Sequence, residues 1–235
     1  MKKRRQHLSR LHPRQFWSDE TGLTGLLIFL LGYFIVLNSL SEFSFGRLLA
    51  HIFFSLVIVA GVLITFQKKW LSFFVIVLAV VSLALNWAEE IRPGKDLAVL
   101  TTGLSLIFLG ILLAVVIAQV FREGKVTSHR IRGAIAIYLL LGALWAFMYQ
   151  MVALNIPQAF RLPEGLVGGD PDALRRELTY FSFVTLTTTG YGDITAVHPV
   201  ARTLAMLEAL VGQLYPAIVL AWLVSLAIVH QKEKP

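Results

Sequence analysis

One stretch of nine residues in the C-terminal part of the chain contains four threonines, two glycines and an aspartate, residue types whose oxygen atoms and backbone freedom could form a binding site. It reads Thr185-Leu186-Thr187-Thr188-Thr189-Gly190-Tyr191-Gly192-Asp193. Gly190 and Gly192 tolerate backbone angles that other residues resist, so successive carbonyl groups can be turned to one side. Carbonyl oxygens arranged in rings replace the water shell of a metal ion. The alternative is a Gly-Tyr-Gly turn on a surface loop, and those three residues alone do not separate the two interpretations.

The rest of the chain predicts a membrane protein. Of its 235 residues, 57% are hydrophobic and 15% are charged, against about 45–50% and about 25% in soluble domains. Apolar segments long enough to cross a hydrocarbon core of about 30 Å lie at 22–40, 48–66, 70–87, 97–121, 133–154 and 198–229. We therefore predict an all-α protein with six transmembrane helices. The absence of cysteine excludes disulfides, thiolate metal sites and cysteine nucleophiles.

The connection between the last two apolar segments, residues 155–197, is too long for a simple loop. Asp170-Pro171 is typical of a helix start, with aspartate as the N-cap and proline at the first helical position. The segment that follows is semi-apolar and too short to span a membrane. We predict a re-entrant helix at about 171–187, because irregular backbone at membrane depth needs protein or a water-filled cavity around it.

The nine-residue motif resembles the selectivity filter of tetrameric potassium channels, whose core reads T-V-G-Y-G followed by aspartate. The match runs from Thr188 to Asp193 (TTGYGD), with Thr189 in place of the usual valine. The resemblance covers about residues 133–230. It includes the sequence from Leu207 to Tyr215 (LEALVGQLY), which is similar to small bacterial potassium channels. It implies a homotetramer, because the chain carries one filter and such a pore needs four.

The resemblance also implies the site residues. The K⁺-binding residues of the filter would be Thr188, Thr189, Gly190, Tyr191 and Gly192, with the backbone carbonyls of the first four facing the ions. Thr187 and Asp193 would support the filter. In the family this aspartate bonds an aromatic residue of the pore helix, commonly tryptophan, and the matching position here is Tyr180, whose hydroxyl is able to donate. A solvated Asp193 that only attracts cations is the alternative.

The last predicted helix contains a candidate gate. Gly212 lies where the family commonly places a glycine hinge, and Pro216 cannot donate the helix hydrogen bond to the Gly212 carbonyl. A kinked helix is expected, and a moving hinge is a hypothesis. Below it, three apolar residues recur on one face and are a possible pore-lining gate: Leu220, Val224 and Ile228. Packing against lipid or another helix is the alternative for that face.

Two ionisable residues and one absence complete the candidate features. Glu208 lies one turn before Gly212 and is a possible regulator near the base of the filter, or a structural hydrogen-bonded carboxylate. His51 is interpreted as a satisfied or interfacial histidine and not a metal ligand, since no partner stands at ligand spacing. Residues 97–121 contain no Lys or Arg, so steep voltage dependence has no source.

The distribution of charge predicts the orientation. Residues 1–21, 67–69, 122–132 and 230–235 carry 14 of the 21 Lys and Arg residues, so they are expected on the cytoplasmic side. Both termini would then be cytoplasmic, in a plasma membrane and most simply a bacterial inner membrane. The predicted organisation is a basic N-terminus (1–21), a four-helix membrane domain (22–121), a cytoplasmic linker (122–132) and a pore domain (133–235).

These features predict passive, potassium-selective conduction without enzyme chemistry. We expect K⁺ as the permeant ligand and no cofactor. The expected partners are three further copies of the chain and membrane lipid, with no nucleic acid and no known auxiliary subunit. The alternatives are a non-conducting or regulatory subunit, a non-selective cation channel, or a subunit of a potassium transporter. Such transporters have four degenerate filter loops in one chain, whereas this chain has one intact loop.

Overall fold

The computed structural model describes residues 13–40, 43–65, 69–121, 128–162 and 171–232. Side chains are described for 22–40, 43, 45–65, 73–121, 130–162 and 172–225. Within these ranges the chain forms seven helices and two very short strands. They are α1 (Pro13–Leu40), α2 (Ser44–Thr65), α3 (Lys69–Ile91), α4 (Lys95–Val120), α5 (Ser128–Asn155), β1 (Phe160–Arg161), α6 (Pro171–Leu186), β2 (Thr195–Ala196) and α7 (Pro199–Lys232).

Six of these helices are long and apolar enough to cross a membrane. The qualifying segments in the described part of the chain are Gly22–Leu40, Phe45–Thr65, Phe73–Ile91, Lys95–Val120, Arg130–Asn155 and Pro199–Ser225. This confirms the prediction of an all-helical membrane protein with six helices of spanning length. The seventh helix, α6, has 16 residues. At 1.5 Å per residue it is about 24 Å long, shorter than a hydrocarbon core of about 30 Å.

The helices extend beyond the apolar segments that predict them. α1 begins at Pro13 and α5 at Ser128, nine and five residues before the apolar segments at 22 and 133. Proline is tolerated at the first helical position because its missing N–H has no helical partner there. Hydropathy marks the part of a helix that lies in lipid, whereas the helix itself continues through polar turns. Residues 1–12, 122–127 and 163–170, including the predicted N-cap Asp170, lie outside the described residues.

A two-residue antiparallel ladder was not part of the all-α prediction. β1 pairs with β2 in the register Phe160 to Ala196 and Arg161 to Thr195. The Ala159 carbonyl also accepts bonds from the N–H groups of Val197 and His198, at 2.9 and 3.1 Å. The ladder therefore fastens the segment after α5 to the segment just beyond the predicted filter. Strands this short carry no alternating pattern that a sequence could show.

The first four helices pack against the last three within one chain. α1 contacts both α2 and α5, and α4 contacts α5. The side chains at the centre of this packing are almost completely buried, and they include Leu23, Leu26, Ile58, Phe108, Leu112, Ile137 and Leu140. Because lipid tails are as apolar as leucine, such packing in a membrane stabilises through close contact and not through removal from water.

A second buried cluster holds α6 against α5. The Tyr149 ring contacts Phe160 and Phe181 edge to face, with ring centroids 5.5 and 5.0 Å apart. Leu178 and Leu186 of α6 are fully buried in the same cluster. This packing fixes the direction of α6 and therefore the point at which the following loop begins.

Candidate functional site

The loop 187–193 follows directly from α6, and its backbone alternates in conformation. Thr188, Gly190 and Gly192 have φ angles of +57°, +59° and +82°, whereas Thr189 and Tyr191 between them do not have positive φ. Successive peptide groups of an extended strand point to opposite sides. Alternation between left- and right-handed φ turns them to the same side. The loop therefore has the backbone geometry that the sequence motif requires for a row of carbonyl oxygens.

Thr188 is unusual because it adopts this conformation with a β-branched side chain. In the described part of the chain, Gln158 is the other non-glycine residue with positive φ. Such a conformation is an outlier for a β-branched residue and persists only where the surrounding structure enforces it. The hydrogen bonds of the loop provide that enforcement.

The N–H groups in the first half of the loop point back to the last turn of α6. Thr188 donates to the Thr185 carbonyl at 2.9 Å, and Thr189 and Gly190 donate to the Val184 carbonyl at 2.9 and 3.3 Å. Among the hydrogen bonds between described residues, none is accepted by a carbonyl oxygen of 188–192. The backbone donors of Thr188, Thr189 and Gly190 thus anchor the loop, while its carbonyl acceptors have no hydrogen-bond partner among the described residues. The C-terminal end of α6 adds a partial negative charge at the same point, which favours a cation.

Thr189, which stands where the motif usually has valine, has a hydrogen-bond partner. Its hydroxyl lies 2.9 Å from the Thr187 hydroxyl, and Thr187 donates its own proton to the Phe183 carbonyl at 2.7 Å. Each hydroxyl has one proton, so Thr189 is the donor to Thr187. The two threonines therefore connect the middle of the loop to α6, which is a physical role for Thr187 as a supporting residue.

Asp193 is hydrogen-bonded to α6 across the loop. Tyr180 Oη donates to Asp193 Oδ2 at 2.6 Å, and the Ile194 N–H donates to Oδ1 at 3.0 Å. The bond from Tyr180 is the largest cause that lowers the pKa of Asp193 below its ordinary 3.8, and it raises the pKa of Tyr180 to about 12. At neutral pH the pair is therefore a phenol that donates to a carboxylate, and this bond closes the far end of the loop.

Tyr180→Phe is expected to raise the pKa of Asp193. A depressed pKa means that the carboxylate stabilises the folded loop at pH values above its ordinary pKa of 3.8, and that this stabilisation is lost as the pH falls through the lower folded value. Without the tyrosine donor the pKa difference between folded and unfolded states is smaller, so the carboxylate contributes less stability and is protonated in the folded loop at a higher pH. The measurement is a ¹³C-NMR titration of aspartate-labelled protein, with Asp193→Asn to assign the signal. Tyr180→Trp, which restores a donor, is the matched control; identical Asp193 titration in Tyr180→Phe and wild type would contradict the role of the bond.

Glu208 of α7 is completely buried where α5, α6 and α7 meet. Tyr149 Oη donates to its Oε2 at 2.5 Å, and Ser182 Oγ lies 2.5 Å from its Oε1. Ser182 Oγ is also 2.8 Å from the Gly142 carbonyl. The single Ser182 proton serves one of these two acceptors at a time, and both contacts become full hydrogen bonds only when the carboxyl group supplies a proton itself. This network is the geometry expected of a structural carboxylate, one of the two roles predicted for Glu208.

Glu208→Ala is expected to lower the thermal unfolding midpoint strongly, and Glu208→Gln is expected to preserve it. Alanine leaves the buried Tyr149 hydroxyl without an acceptor, at a cost of about 1–3 kcal/mol. Glutamine can accept from Tyr149 through Oε1 and donate to Ser182 through Nε2. Thermal unfolding of the two variants in detergent distinguishes these effects. If both variants unfold at the wild-type temperature, the network does not stabilise the fold.

The sequence interpretation missed Tyr149 and Ser182, although it placed Glu208 near the base of the predicted filter. Tyr149 lies in the apolar segment of α5, 59 positions before Glu208, and an aromatic residue there is most simply explained as packing. Tyr149 can donate a hydrogen bond to Glu208 only because α5, α6 and α7 cross at this point.

The predicted gate residues lie on α7, which is continuous through Pro216. Gly212 is buried, and a Cβ atom there would lie 1.8 Å from the Leu186 carbonyl oxygen. The side chains of Leu220 and Val224 are exposed on the isolated chain, whereas the Ile228 side chain lies outside the described residues. Close packing against the end of α6 therefore explains why a glycine stands at position 212, and it is an alternative to the hinge hypothesis.

The described geometry combines six helices of membrane-spanning length with a loop of alternating backbone conformation between the last two of them, an arrangement consistent with an ion channel subunit. A sequence model of the ion channel family matches residues 176–228, from α6 through the loop and into α7. Among curated proteins, Protein LctB of Bacillus caldotenax is 30% identical over 120 residues, or 48% of this chain and 89% of that protein. Protein LctB of Geobacillus stearothermophilus is 32% identical over 81 residues, or 34% of this chain and 58% of that protein.

The chain belongs to this ion channel family. The matched region contains both the loop 187–193 and Glu208. No solved structure matches the chain.

Proposed function

We propose that the chain is one subunit of a potassium-selective channel, with residues 188–192 as its selectivity filter. The observation that carries the proposal is the backbone of this loop, in which alternate residues have positive φ and the N–H groups of Thr188, Thr189 and Gly190 are bonded to α6. Rings of such carbonyl oxygens replace the hydration shell of K⁺. The ions would bind at Thr188, Thr189, Gly190 and Tyr191, with no cofactor involved.

The exposure of the loop supports the proposal of a homotetramer. One chain provides one side of a carbonyl ring, and irregular polar backbone is stable at membrane depth only beside protein or water. Tyr191 is 72% exposed on the isolated chain, although a filter tyrosine is expected to be packed. Three further copies of the chain would surround the carbonyl oxygens with their equivalents and supply the protein against which Tyr191 packs.

The surface of α7 supports the same assembly. Only 11% of its membrane-length segment is buried within the chain, compared with 33–56% for the other five. Its exposed residues include Leu210, Leu214 and Ile218. In the proposed tetramer this face lines the pore and contacts neighbouring copies. The hinge at Gly212 and Pro216 and the apolar gate at Leu220, Val224 and Ile228 remain predictions on this helix.

The proposed setting is a bacterial inner membrane with both termini in the cytoplasm, as the distribution of Lys and Arg predicts. The fourth helix, α4, begins with Lys95 and has no further Lys or Arg. Gating charge within the membrane provides about 2.3 kcal/mol per charge per 100 mV. We therefore propose conduction without steep voltage dependence.

Ion flux through the purified protein in liposomes tests the function. Flux under a K⁺ gradient is compared with flux under a Na⁺ gradient, with Ba²⁺ as the blocker. The expected result is K⁺ flux that Ba²⁺ blocks and Na⁺ flux at background. Equal flux of the two ions would exclude a selective filter. No flux at any voltage, pH or membrane tension tested would favour a non-conducting or regulatory subunit instead.

A further inference from the structure

His51, Glu90 and Asp172 come together from three different helices. His51 Nε2 of α2 lies 3.2 Å from Glu90 Oε2 of α3 and 3.9 Å from Asp172 Oδ2 of α6. The three ligand atoms all lie within 4.8 Å of one another. The sequence interpretation found no metal partner for His51 because the partners stand 39 and 121 positions away. Helix packing, and not sequence spacing, brings the three side chains together.

We propose that these three residues form a binding site for a divalent transition-metal ion of the Zn²⁺ type, which joins α2 and α3 to the start of α6. Imidazole nitrogen and carboxylate oxygen are the ligands that zinc accepts, and three protein ligands leave a fourth position for water. A tetrahedral zinc ion with bonds of about 2.1 Å holds its ligand atoms about 3.4 Å apart. The distance from His51 to Glu90 is close to this value, and Asp172 Oδ2 would have to move about 0.5 Å closer to His51 Nε2 to reach it. Calcium and magnesium fit less well because they prefer oxygen ligands throughout.

A small cavity beside the cluster supplies the fourth position. It offers about 10 Å³ to the centre of a water molecule and is lined by Tyr33, His51 and Asp172 among others. That is about the minimum needed for one water. The Tyr33 hydroxyl is buried, and it has no hydrogen-bond partner among the described residues. A metal-bound water in this cavity would give that hydroxyl a partner.

The charges around the cluster permit a cation. Arg175 pairs with Asp172 through Oδ1 at 3.5 Å and with Glu89 at 3.5 Å, which leaves Asp172 Oδ2 directed toward His51. Arg47 also lines the cavity, and its positive charge would repel a metal ion. The three carboxylates nevertheless exceed the two guanidinium groups by one negative charge. Glu90 is 38% exposed while His51 is 7% exposed, so an ion would enter past Glu90 and reach the buried imidazole.

An ion bound at this site would link α2 and α3, in the first half of the chain, to α6 in the second half. Asp172 lies in the first turn of α6, and the loop 187–193 follows the last turn of the same helix. An ion held at His51 and Asp172 would fix α6 relative to α2 and α3. Any effect on conduction rests on the proposed function, whereas binding does not, so the two can fail separately.

The experiment measures Zn²⁺ binding to untagged, EDTA-treated protein in detergent by titration calorimetry at pH 7.5. We expect one ion per chain in wild type, and binding at least about tenfold weaker in His51→Gln and in Glu90→Gln. Zn²⁺ should raise the unfolding midpoint of wild type but not of these variants, because a ligand stabilises the state that binds it. Glu177→Gln removes an acid from the same helix as Asp172, at a position where it pairs with Arg176, and should bind like wild type.

Glu90→Gln is the variant least expected to misfold, because Glu90 lies at the exposed edge of the cluster and glutamine has nearly the same shape as glutamate. The chain has five further histidines, any of which could bind zinc adventitiously. If both His51→Gln and Glu90→Gln still bind one ion per chain with wild-type affinity, the ion is bound by other histidines and the proposed site is wrong. The absence of Zn²⁺ binding by wild-type protein would also overturn the site.

Discussion

Gly190→Ala is expected to abolish potassium-selective flux. Gly190 has φ +59°, and an L-residue pays about 1–2 kcal/mol to adopt this left-handed conformation. Thr188 already holds one such position in every chain, so the substitution adds a second strained residue to the same loop. In a tetramer the cost is incurred four times and reaches about 4–8 kcal/mol. Since about 1.4 kcal/mol corresponds to a factor of ten, the conducting conformation falls at least about a thousandfold in population.

The strain in this variant comes from the backbone and not from a clash, because a Cβ at Gly190 would meet nothing within 4 Å. Gly94→Ala is the matched control. Gly94 also has open space around it, but its φ is −167°, which any residue adopts. Flux of K⁺ and Na⁺ into liposomes is measured for both variants after size-exclusion chromatography shows that each assembles like wild type. Potassium-selective flux in an intact Gly190→Ala assembly would contradict the proposed filter.

The backbone geometry of the loop 187–193 and its bond to Tyr180 could be predicted from the sequence, because both depend on residues close together in the chain. The spacing of Gly190 and Gly192 predicts where the backbone turns, and Asp193 and Tyr180 are close enough in sequence for their bond to be expected. Hydropathy predicts six membrane-length helices for a similar reason, since each helix buries a continuous apolar segment. Features formed by neighbouring residues can therefore be recognised in a short stretch of sequence.

Contacts between distant segments could not be predicted in the same way. The partners of His51 lie on α3 and α6, and those of Glu208 lie on α5 and α6. A single buried polar residue in a membrane helix predicts that some partner exists, since leaving it unpaired is costly. Which partner it finds depends on how the helices cross, and no sequence spacing encodes that. The pairing of β1 with β2 was missed for the same reason.

The role of Gly212 is where a sequence motif and the structure lead to different expectations for one mutation. A Cβ at this position would lie 1.8, 2.7 and 2.9 Å from the O, C and Cα atoms of Leu186. All three are backbone atoms, so no side-chain rotation relieves the overlap. The Tyr138 hydroxyl also donates to that same carbonyl oxygen at 3.2 Å. α7 can accommodate the methyl group only by moving away from the end of α6.

Gly212→Ala is therefore expected to lower the thermal unfolding midpoint and to reduce flux together. Overpacking of this kind costs about 1–3 kcal/mol, and the displaced Leu186 is the residue immediately before the loop 187–193. A pure hinge predicts the opposite for stability, because alanine favours a helix by about 0.5–1 kcal/mol over glycine. Gly110→Ala in α4 is the control for this gain in helix propensity, since a Cβ there would meet nothing within 4 Å.

The two explanations of Gly212 separate when stability and flux are measured on the same sample. Thermal unfolding in detergent and K⁺ flux in liposomes should both decline in Gly212→Ala and neither should decline in Gly110→Ala. A Gly212→Ala protein that unfolds at or above the wild-type temperature but conducts poorly would favour the hinge. The distinction extends to Pro216: Pro216→Ala restores the N–H that bonds the Gly212 carbonyl without adding an atom at the contact with Leu186. It would stiffen a hinge and leave the packing intact.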